Sequence, residues 1–355
     1  MEPNNSGNQI AGAITYPASS ESNVVAVPEQ PRQPRNLQGL LRFIMEGTKA
    51  EDAPGSSVFE PMDEERKKFL EEAFRSLTVD VAQILLKAIN VLNDPQKINS
   101  IKKGQELPDD VVSACSNITS YAAEMDVAND FCKLGGYTIF PVCFDSENAQ
   151  VRAEAYAILA EVCQNNPFCQ SNALDSGLLR RLLTLLQIEE GVALAKCLYA
   201  VSCLTRNYEP AGQMFTSLGG CAVLTQLLGS EDIRVRAKTA FLISYLARHH
   251  PETREKFLEN ETIKILAEEL DKGLNISTSC LLAALLAMIE DQDPAALQQI
   301  KSSSIQLKKV LEKLWNLPNL KESEYDDERE LLRNIMLIFE KVPDVDSGNE
   351  DGVDR

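Results

Sequence analysis

Chemistry in a protein chain begins with its nucleophiles, bases and metal ligands, and in these 355 residues the main supply is sulfur. The nine cysteines are Cys115, Cys132, Cys143, Cys163, Cys169, Cys197, Cys203, Cys221 and Cys280. Their number is odd, their neighbours are apolar and no two are spaced C-x-x-C, so the pattern is neither a disulfide framework nor a zinc ribbon. A buried Cys packs as a small hydrophobe, and the expectation is reduced core thiols in a reducing compartment. The only histidines, His249 and His250, are adjacent. On a helix their side chains diverge, so they cannot share a ligand. Standing before Pro251, at the carbonyl end of a helix, they suit a terminus where positive charge is favoured. Phosphate-cradling G-x-x-x-x-G-K-[ST], dinucleotide-type G-x-G-x-x-G and the G-x-S-x-G elbow are all missing. The sequence therefore predicts no catalytic residue, no metal and no cofactor, in a protein that is not an enzyme.

Charge narrows the partners. Asp and Glu number 53 against 35 Lys and Arg, a formal charge of −18. A groove for phosphate backbones would work against the repulsion of the whole molecule, so no nucleic acid is expected. With 44% apolar and 25% charged residues the composition is that of a soluble chain with a substantial core. The first thirty residues carry no apolar stretch of signal-peptide type, and no segment approaches the roughly 20 apolar residues that span a bilayer. The expectation is a cytoplasmic monomer with no membrane partner. Asn117-Ile118-Thr119 and Asn275-Ile276-Ser277 match the glycosylation acceptor, but they fall inside helical repeats and read as chance.

Something must position a surface that does no chemistry, and the chain reads as helix after helix. Residues 1–34, rich in Asn, Ser, Pro and Gln, are too polar to bury a core and predict a disordered arm. In 35–62 a short amphipathic helix is marked by Leu37, Leu40, Leu41, Ile44 and Met45, followed by a linker. Asp63, followed by Glu64, Glu65 and Arg66, supplies an N-cap and acidic first turn, so 63–108 reads as an N-terminal helical cap. Residues 109–304 hold the repeats, 305–341 a C-terminal helical cap and 342–355 an acidic disordered tail.

The repeats show as self-similarity. Leu134-Gly135-Gly136, Asp175-Ser176-Gly177, Leu218-Gly219-Gly220 and Glu259-Asn260-Glu261 align at offsets of about 41, 43 and 41 residues. Val151-Arg152-Ala153 and Val235-Arg236-Ala237 each open a long helix, with an intervening unit starting near Val192. Each clear unit has a long amphipathic helix, a polar turn, a short helix, a Gly, and a Leu-rich helix such as the one holding Leu178, Leu179, Leu182, Leu183, Leu185 and Leu186. No unit can bury its Leu/Ala face alone, so the units must stack. The predicted fold is all-α: an armadillo-like helical-repeat solenoid, an alpha-alpha superhelix with helical caps at both ends. Five units run from about Asp109 to Trp315.

The long helices should line the concave wall, and one stripe can be followed down it at helical gaps of 3, 4 and 3. It reads Ala114, Asn117, Tyr121, Glu124, then Glu154, Ala157, Glu161, Gln164. The third and fourth units give Lys196, Tyr199, Cys203, Arg206 and Lys238, Phe241, Tyr245, Arg248, and the fifth Cys280, Ala283, Ala287, Glu290. Basic and aromatic residues thus gather in the third and fourth units of an acidic protein. Large rigid aromatic and Arg side chains carry much of the energy of protein interfaces. The predicted partner-binding residues are Tyr121, Glu161, Lys196, Tyr199, Arg206, Lys238, Phe241, Tyr245 and Arg248, with Arg206 exposed to solvent.

Several motifs resemble those of one family, the armadillo-type nucleotide exchange factors of the heat-shock-protein-70 chaperones. They are Pro34-Arg35-Asn36-Leu37-Gln38-Gly39-Leu40-Leu41; Glu60-Pro61-Met62 with Glu64-Glu65-Arg66; and Asp126, Ala128, Asp130 and Phe131 before Gly135-Gly136. Gln164-Asn165-Asn166-Pro167 with Gln170, and Ala200, Ser202, Cys203 and Leu204, complete the set. Their order and spacing are more specific than any one alone, and Val127 departs from the family's usual Asn. The resemblance implies a co-chaperone whose concave face embraces one lobe of the heat-shock protein 70 nucleotide-binding domain and promotes release of ADP. It also implies a role for the N-terminal segment in client release, with Leu37, Leu40, Leu41 and Ile44 as an apolar peptide mimic. A family branch of the endoplasmic reticulum carries a signal peptide and a retention tail, and neither is seen here. A peptide-binding importin-like scaffold is the competing reading, but its repeated Trp and Asn are not matched by a chain whose single Trp is Trp315.

Overall fold

The computed structural model describes residues 67–68, 80–292, 297, 300 and 305–340. By its internal contacts the chain forms two compact units, Met1–Glu72 and Ala73–Arg355. The first contains Lys67 and Lys68, both helical, and the second carries the repeats. The arm residues Leu37, Leu40, Leu41 and Ile44, the expected linker and the expected acidic tail lie outside the described residues.

Among the described residues there are helices and no strands. The chain enters through α1 (Val81–Leu92) and α2 (Pro95–Ser100). Three-helix units follow: α3 (Asp109–Ala122), α4 (Met125–Lys133) and α5 (Ile139–Phe144); α6 (Ala149–Cys163), α7 (Pro167–Asp175) and α8 (Leu178–Leu185). The third is α9 (Gly191–Thr205), α10 (Glu209–Ser217) and α11 (Gly220–Leu228); the fourth α12 (Ile233–His249), α13 (Pro251–Glu259) and α14 (Thr262–Asp271). The fifth opens with α15 (Thr278–Ile289), has helical residues at Leu297 and Ile300, and closes with α16 (Ile305–Trp315). The last helix is α17 (Asp326–Glu340).

Local chemistry sets the boundaries. Oδ1 of Asn148 accepts from the amides of Gln150 and Val151 at the start of α6, and Asp232 accepts from Arg234 at the start of α12. Pro167 and Pro251 open α7 and α13, where a missing N–H costs nothing. Between the short helix and the Leu-rich segment of each unit the backbone turns left-handed at Gly135, Gly177, Gly219 and Glu261, each 42 residues after the last. The aligned triplets are therefore off by one residue in two units, where the left-handed position is the third of the triplet rather than the second. Of the paired glycines the first takes the positive φ, and the second lies under a ring. A Cβ on Gly136 would stand 2.4 Å from Phe131, and one on Gly220 2.4 Å from Phe215.

The long helices form one layer, in the order α1, α3, α6, α9, α12, α15, α17, each packed on the next. α9 and α12 come close over a shorter stretch than α6 and α9 or α12 and α15. The short helices and the Leu-rich helices pack behind this layer, unit against unit. Tyr156, Phe131, Phe140, Phe215 and Phe257 are among the largest side chains sealed between them. The repeated Val-Arg-Ala also has a structural role. Arg152 donates to Glu189 at 2.5 and 2.8 Å and to the Ser146 carbonyl at 2.7 Å. Arg236 likewise pairs with Glu269 at 2.9 Å and donates to the Ser230 carbonyl at 2.8 Å. Each guanidinium, half-buried at Arg152 and buried at Arg236, ties a long helix to the Leu-rich part of its own unit.

Candidate functional site

The stripe predicted along the long helices is one connected surface in its third and fourth units. Gaps of 3, 4 and 3 hold as far as the last helical residue, and there the backbone changes. Arg206, Gln164 and Glu290 are C-caps in extended conformation, with ψ of 141°, 112° and 136°. Arg206 is consequently swung off its helix axis toward α12. Its guanidinium carbon stands 5.3 Å from the centre of the Phe241 ring and 5.1 Å from that of Tyr245. Arg206 is half-buried, not exposed as the sequence reading had it, and its Nε is enclosed without a hydrogen-bond partner among the described residues. The aromatic faces hold the cation in place of water.

Gln170, fully buried on α7, sets this geometry. Its Nε2 donates to the carbonyls of Cys203, Leu204 and Arg206 at 2.9, 3.2 and 2.9 Å, closing the end of α9. The next residue, Asn207, is left-handed at φ 56°. Its amide donates to the Tyr245 hydroxyl at 2.8 Å, and that hydroxyl donates back to Asn207 Oδ1 at 3.0 Å. Asn207 also donates through Nδ2 to Asn165 Oδ1 at 2.9 Å, and Asn165 is left-handed as well. Tyr245 stacks on His249 with ring centres 4.1 Å apart, and His249 Nδ1 meets the Tyr245 carbonyl at 2.8 Å. Nothing in the helical spacing pointed to Asn165 and Asn207. The signal was available as an Asn just past α6 and α9, the usual left-handed residue after Gly.

The remaining predicted residues fall as follows. Lys238, exposed, holds its Nζ 5.9 Å from the centre of the Tyr199 ring, and the Tyr199 hydroxyl donates to Gln164 Oε1 at 3.4 Å. Burial pushes the Tyr199 phenol up to about 12, with the nearby Cys203 thiol and Glu161 carboxylate adding to it. Glu161 is half-buried beside this pair. Phe241 is 48% exposed, unusual for a ring of its size. Lys196 and Arg248 are not free cations: Lys196 pairs with Glu154 at 3.1 Å, and Arg248 with Glu290 at 3.3 Å. At such exposure each pair contributes only about 0.2–1 kcal/mol. Tyr121, half-buried on α3, makes no side-chain hydrogen bond or ring contact among the described residues, so it is not joined to the cluster.

The groups that might have done chemistry are occupied with structure. The nine cysteines are free thiols, seven buried and two half-buried. Burial pushes Cys115, Cys143, Cys169 and Cys221 up to about 12, which leaves them protonated and inert. His250 is held below the ordinary histidine value by burial and by neighbouring His249, so at neutral pH it is uncharged. The carbonyl-end charge expected of the His pair therefore does not come from His250.

Residues 127–235 match the family model described as the SIL1/FES1/HPBP1 C-terminal domain. The chain is 29% identical to Hsp70-binding protein 1 of Macaca fascicularis over 325 residues, 89% of this chain and 87% of that one. It is 26% identical to nucleotide exchange factor SIL1 of Rattus norvegicus over 275 residues, 73% of this chain and 57% of that one. Among solved structures it superposes on a designed armadillo repeat protein with a TM-score of 0.60 at 16% identity, covering 74% of this chain and 100% of the other. The fold is armadillo-like, and the family resemblance read from the motifs is borne out.

Proposed function

We infer, from the match of residues 127–235 to the SIL1/FES1/HPBP1 C-terminal domain model and from the likeness to Hsp70-binding protein 1 and nucleotide exchange factor SIL1, that this chain is a co-chaperone acting as an adenyl-nucleotide exchange factor for heat-shock protein 70. The single observation that carries the reading onto particular residues is the connected surface of Arg206, Phe241, Tyr245, Tyr199 and Lys238. It is cationic and aromatic in a chain of charge −18, and Gln170 and the Tyr245 hydroxyl fix the end of α9 that carries Arg206. Such a surface suits an acidic, partly apolar patch on a folded partner, and the partner region proposed is the nucleotide-binding domain.

The action requires no covalent step. The wall of long helices, the concave face in this reading, grips one lobe of the nucleotide-binding domain and favours an arrangement of lobes that holds ADP weakly. The two ligands then oppose each other reciprocally. Whatever factor the bound co-chaperone takes off ADP affinity, ADP takes off the co-chaperone's affinity. ADP leaves, and ATP enters the emptied site. The protein works in the cytoplasm as a monomer, and the segment bearing Leu37, Leu40, Leu41 and Ile44 assists release of a bound client as an apolar mimic. The boundaries at 34, 62, 108, 304 and 341 belong to the same proposal, with α16 serving both as the last helix of the fifth unit and as the start of the C-terminal cap.

The test is release of a fluorescent ADP analogue from a cytosolic heat-shock protein 70, with and without the full-length protein. Acceleration that saturates with added protein supports the reading, and an unchanged release rate removes it. A version lacking residues 1–60 should still accelerate nucleotide release while releasing a bound client peptide more slowly.

A further inference from the structure

A groove of about 370 Å³ opens beside Phe241, between α12, α15 and α17. Ala283 and Leu331 supply apolar lining, and Asp327 and Glu330 bring carboxylates to it. We propose that this groove receives a lysine or arginine side chain of the partner protein, its stem along Phe241 and Leu331 and its charged head between Asp327 and Glu330. The inference rests on the wall being the surface that binds heat-shock protein 70.

The occupant follows from what the groove lacks. Asp327 and Glu330 stand three residues apart and share a face of α17. Both are exposed, and neither takes part in an ion pair or side-chain hydrogen bond among the described residues. Their neighbour Asp326, by contrast, holds Arg329 at 2.6 Å. An acidic residue in the first helical turn is explained by the helix dipole, which accounts for Asp327. Glu330 lies beyond that turn, so the dipole does not account for it.

An apolar side chain entering here would leave both carboxylates unmet, and an anionic one would be repelled. A divalent cation seeks six or more oxygen ligands, whereas the two carboxylates are joined in the lining only by the neutral Ser279, Cys280 and Asn334, and no three Cys, His, Asp or Glu among the described residues are placed to hold a metal. Only a long side chain with an aliphatic stem and a cationic head meets both halves. Phe241 adds a ring face that attracts a cation. The same ring borders Arg206 at 5.3 Å, so it stands where the cationic part of the wall meets an anionic part. A partner with an acidic patch opposite Arg206 and Lys238 and a basic side chain opposite α17 fits in one orientation, which gives the contact a direction as well as affinity.

The test measures binding of the full-length protein to a cytosolic heat-shock protein 70 by calorimetry at low and moderate salt. Asp327→Asn with Glu330→Gln keeps the shape of the groove and should weaken binding about threefold; Asp327→Lys with Glu330→Lys should weaken it about tenfold or more. Both should bind with a shallower salt dependence than wild type; the Asn/Gln pair should melt close to the wild-type temperature and the Lys pair a few degrees below it, since Asp327 stands in the first turn of α17. Glu322→Lys with Glu324→Lys makes the same charge change outside the groove and should bind within about twofold of wild type. Unchanged affinity in the Asn/Gln and Lys pairs, while Arg206→Glu abolishes binding, would overturn the groove and leave the wall standing. An equal loss in the Glu322 and Glu324 control would reduce the effect to overall charge and also overturn it. A wild-type protein that does not bind at all would overturn the functional reading and this inference together.

Discussion

Replacing Gln170 by Met tests whether one buried amide holds the functional wall in shape. The side chain is fully buried, and its two N–H groups serve three carbonyls at the end of α9, those of Cys203, Leu204 and Arg206. Two full hydrogen bonds are therefore at stake, at a helix end whose carbonyls have no partners of their own. Leaving a buried carbonyl unmet costs about 1–3 kcal/mol, or roughly 2–6 kcal/mol for two. Against this, Gln170 Oε1 is itself buried without a partner, and removing it returns roughly 1–3 kcal/mol. The midpoints of these ranges leave a loss of roughly 2 kcal/mol. In a repeat domain of this size that lowers the melting temperature by about 4–8 °C. Gln170→Glu, which sets a carboxylate against carbonyl oxygens, should cost more than Gln170→Met. Circular dichroism melting reads the loss, and hydrogen exchange at the Asn207 amide, now bonded to the Tyr245 hydroxyl, reads its location. A Gln170→Met protein melting within about 2 °C of wild type, with Asn207 still protected, would refute the reasoning.

Two further outcomes follow from the packing. Gly220→Ala brings a methyl to 2.4 Å from the sealed Phe215 ring; overpacking of about 1–3 kcal/mol should outweigh the gain of about 1 kcal/mol in helix propensity, and urea unfolding of the single variant and of its combination with Phe215→Leu should show a loss and then a partial rescue. His250 binds its proton less readily folded than unfolded, so the unfolded chain takes up more protons as pH falls below about 6.5 and stability drops with acidification through the lowered folded value. Between pH 7.5 and 5.5 the melting temperature of wild type should therefore fall further than that of His250→Asn, and identical slopes would contradict the assignment.

What the chain reveals before folding and what it hides have a common cause in the repeat. Leu-rich runs and Gly turns announce stacked helices, because they encode a face that no single unit can bury. The left-handed position at Glu261 is hidden, since nothing in a Glu signals a φ of 58°, and the aligned triplets slipped by one residue there and at Gly177. The basic and aromatic stripe was legible as a stripe. Its pairing was not, because it depends on which side chains meet across units. Lys196 with Glu154, Arg248 with Glu290, Asn207 with Asn165 and Lys313 with Asp271 are all partners 42 residues apart. Equivalent positions touch their counterparts in the next unit, so the helical gap of 3 or 4 within a helix could not show that two of the predicted cations were already neutralised. Arg206 was misread as exposed for a related reason: it leaves the helix at its cap, and a helical projection does not extend past the last hydrogen-bonded turn.

The most direct measurement compares wild type with Arg206→Glu in the release of a labelled ADP analogue from a cytosolic heat-shock protein 70. Arg206 lies over two rings that a carboxylate would be repelled by, and truncating an interface anchor of this kind costs on the order of 1–4 kcal/mol of binding. Lys264→Glu, an exposed residue on α14 in the layer behind the wall, is the matched control. The expected result is accelerated release by wild type and Lys264→Glu, at least tenfold less potency for Arg206→Glu, and continued helical folding of all three by circular dichroism. Full exchange activity in a folded Arg206→Glu protein would contradict the assignment of the third-unit and fourth-unit wall as the surface that drives exchange.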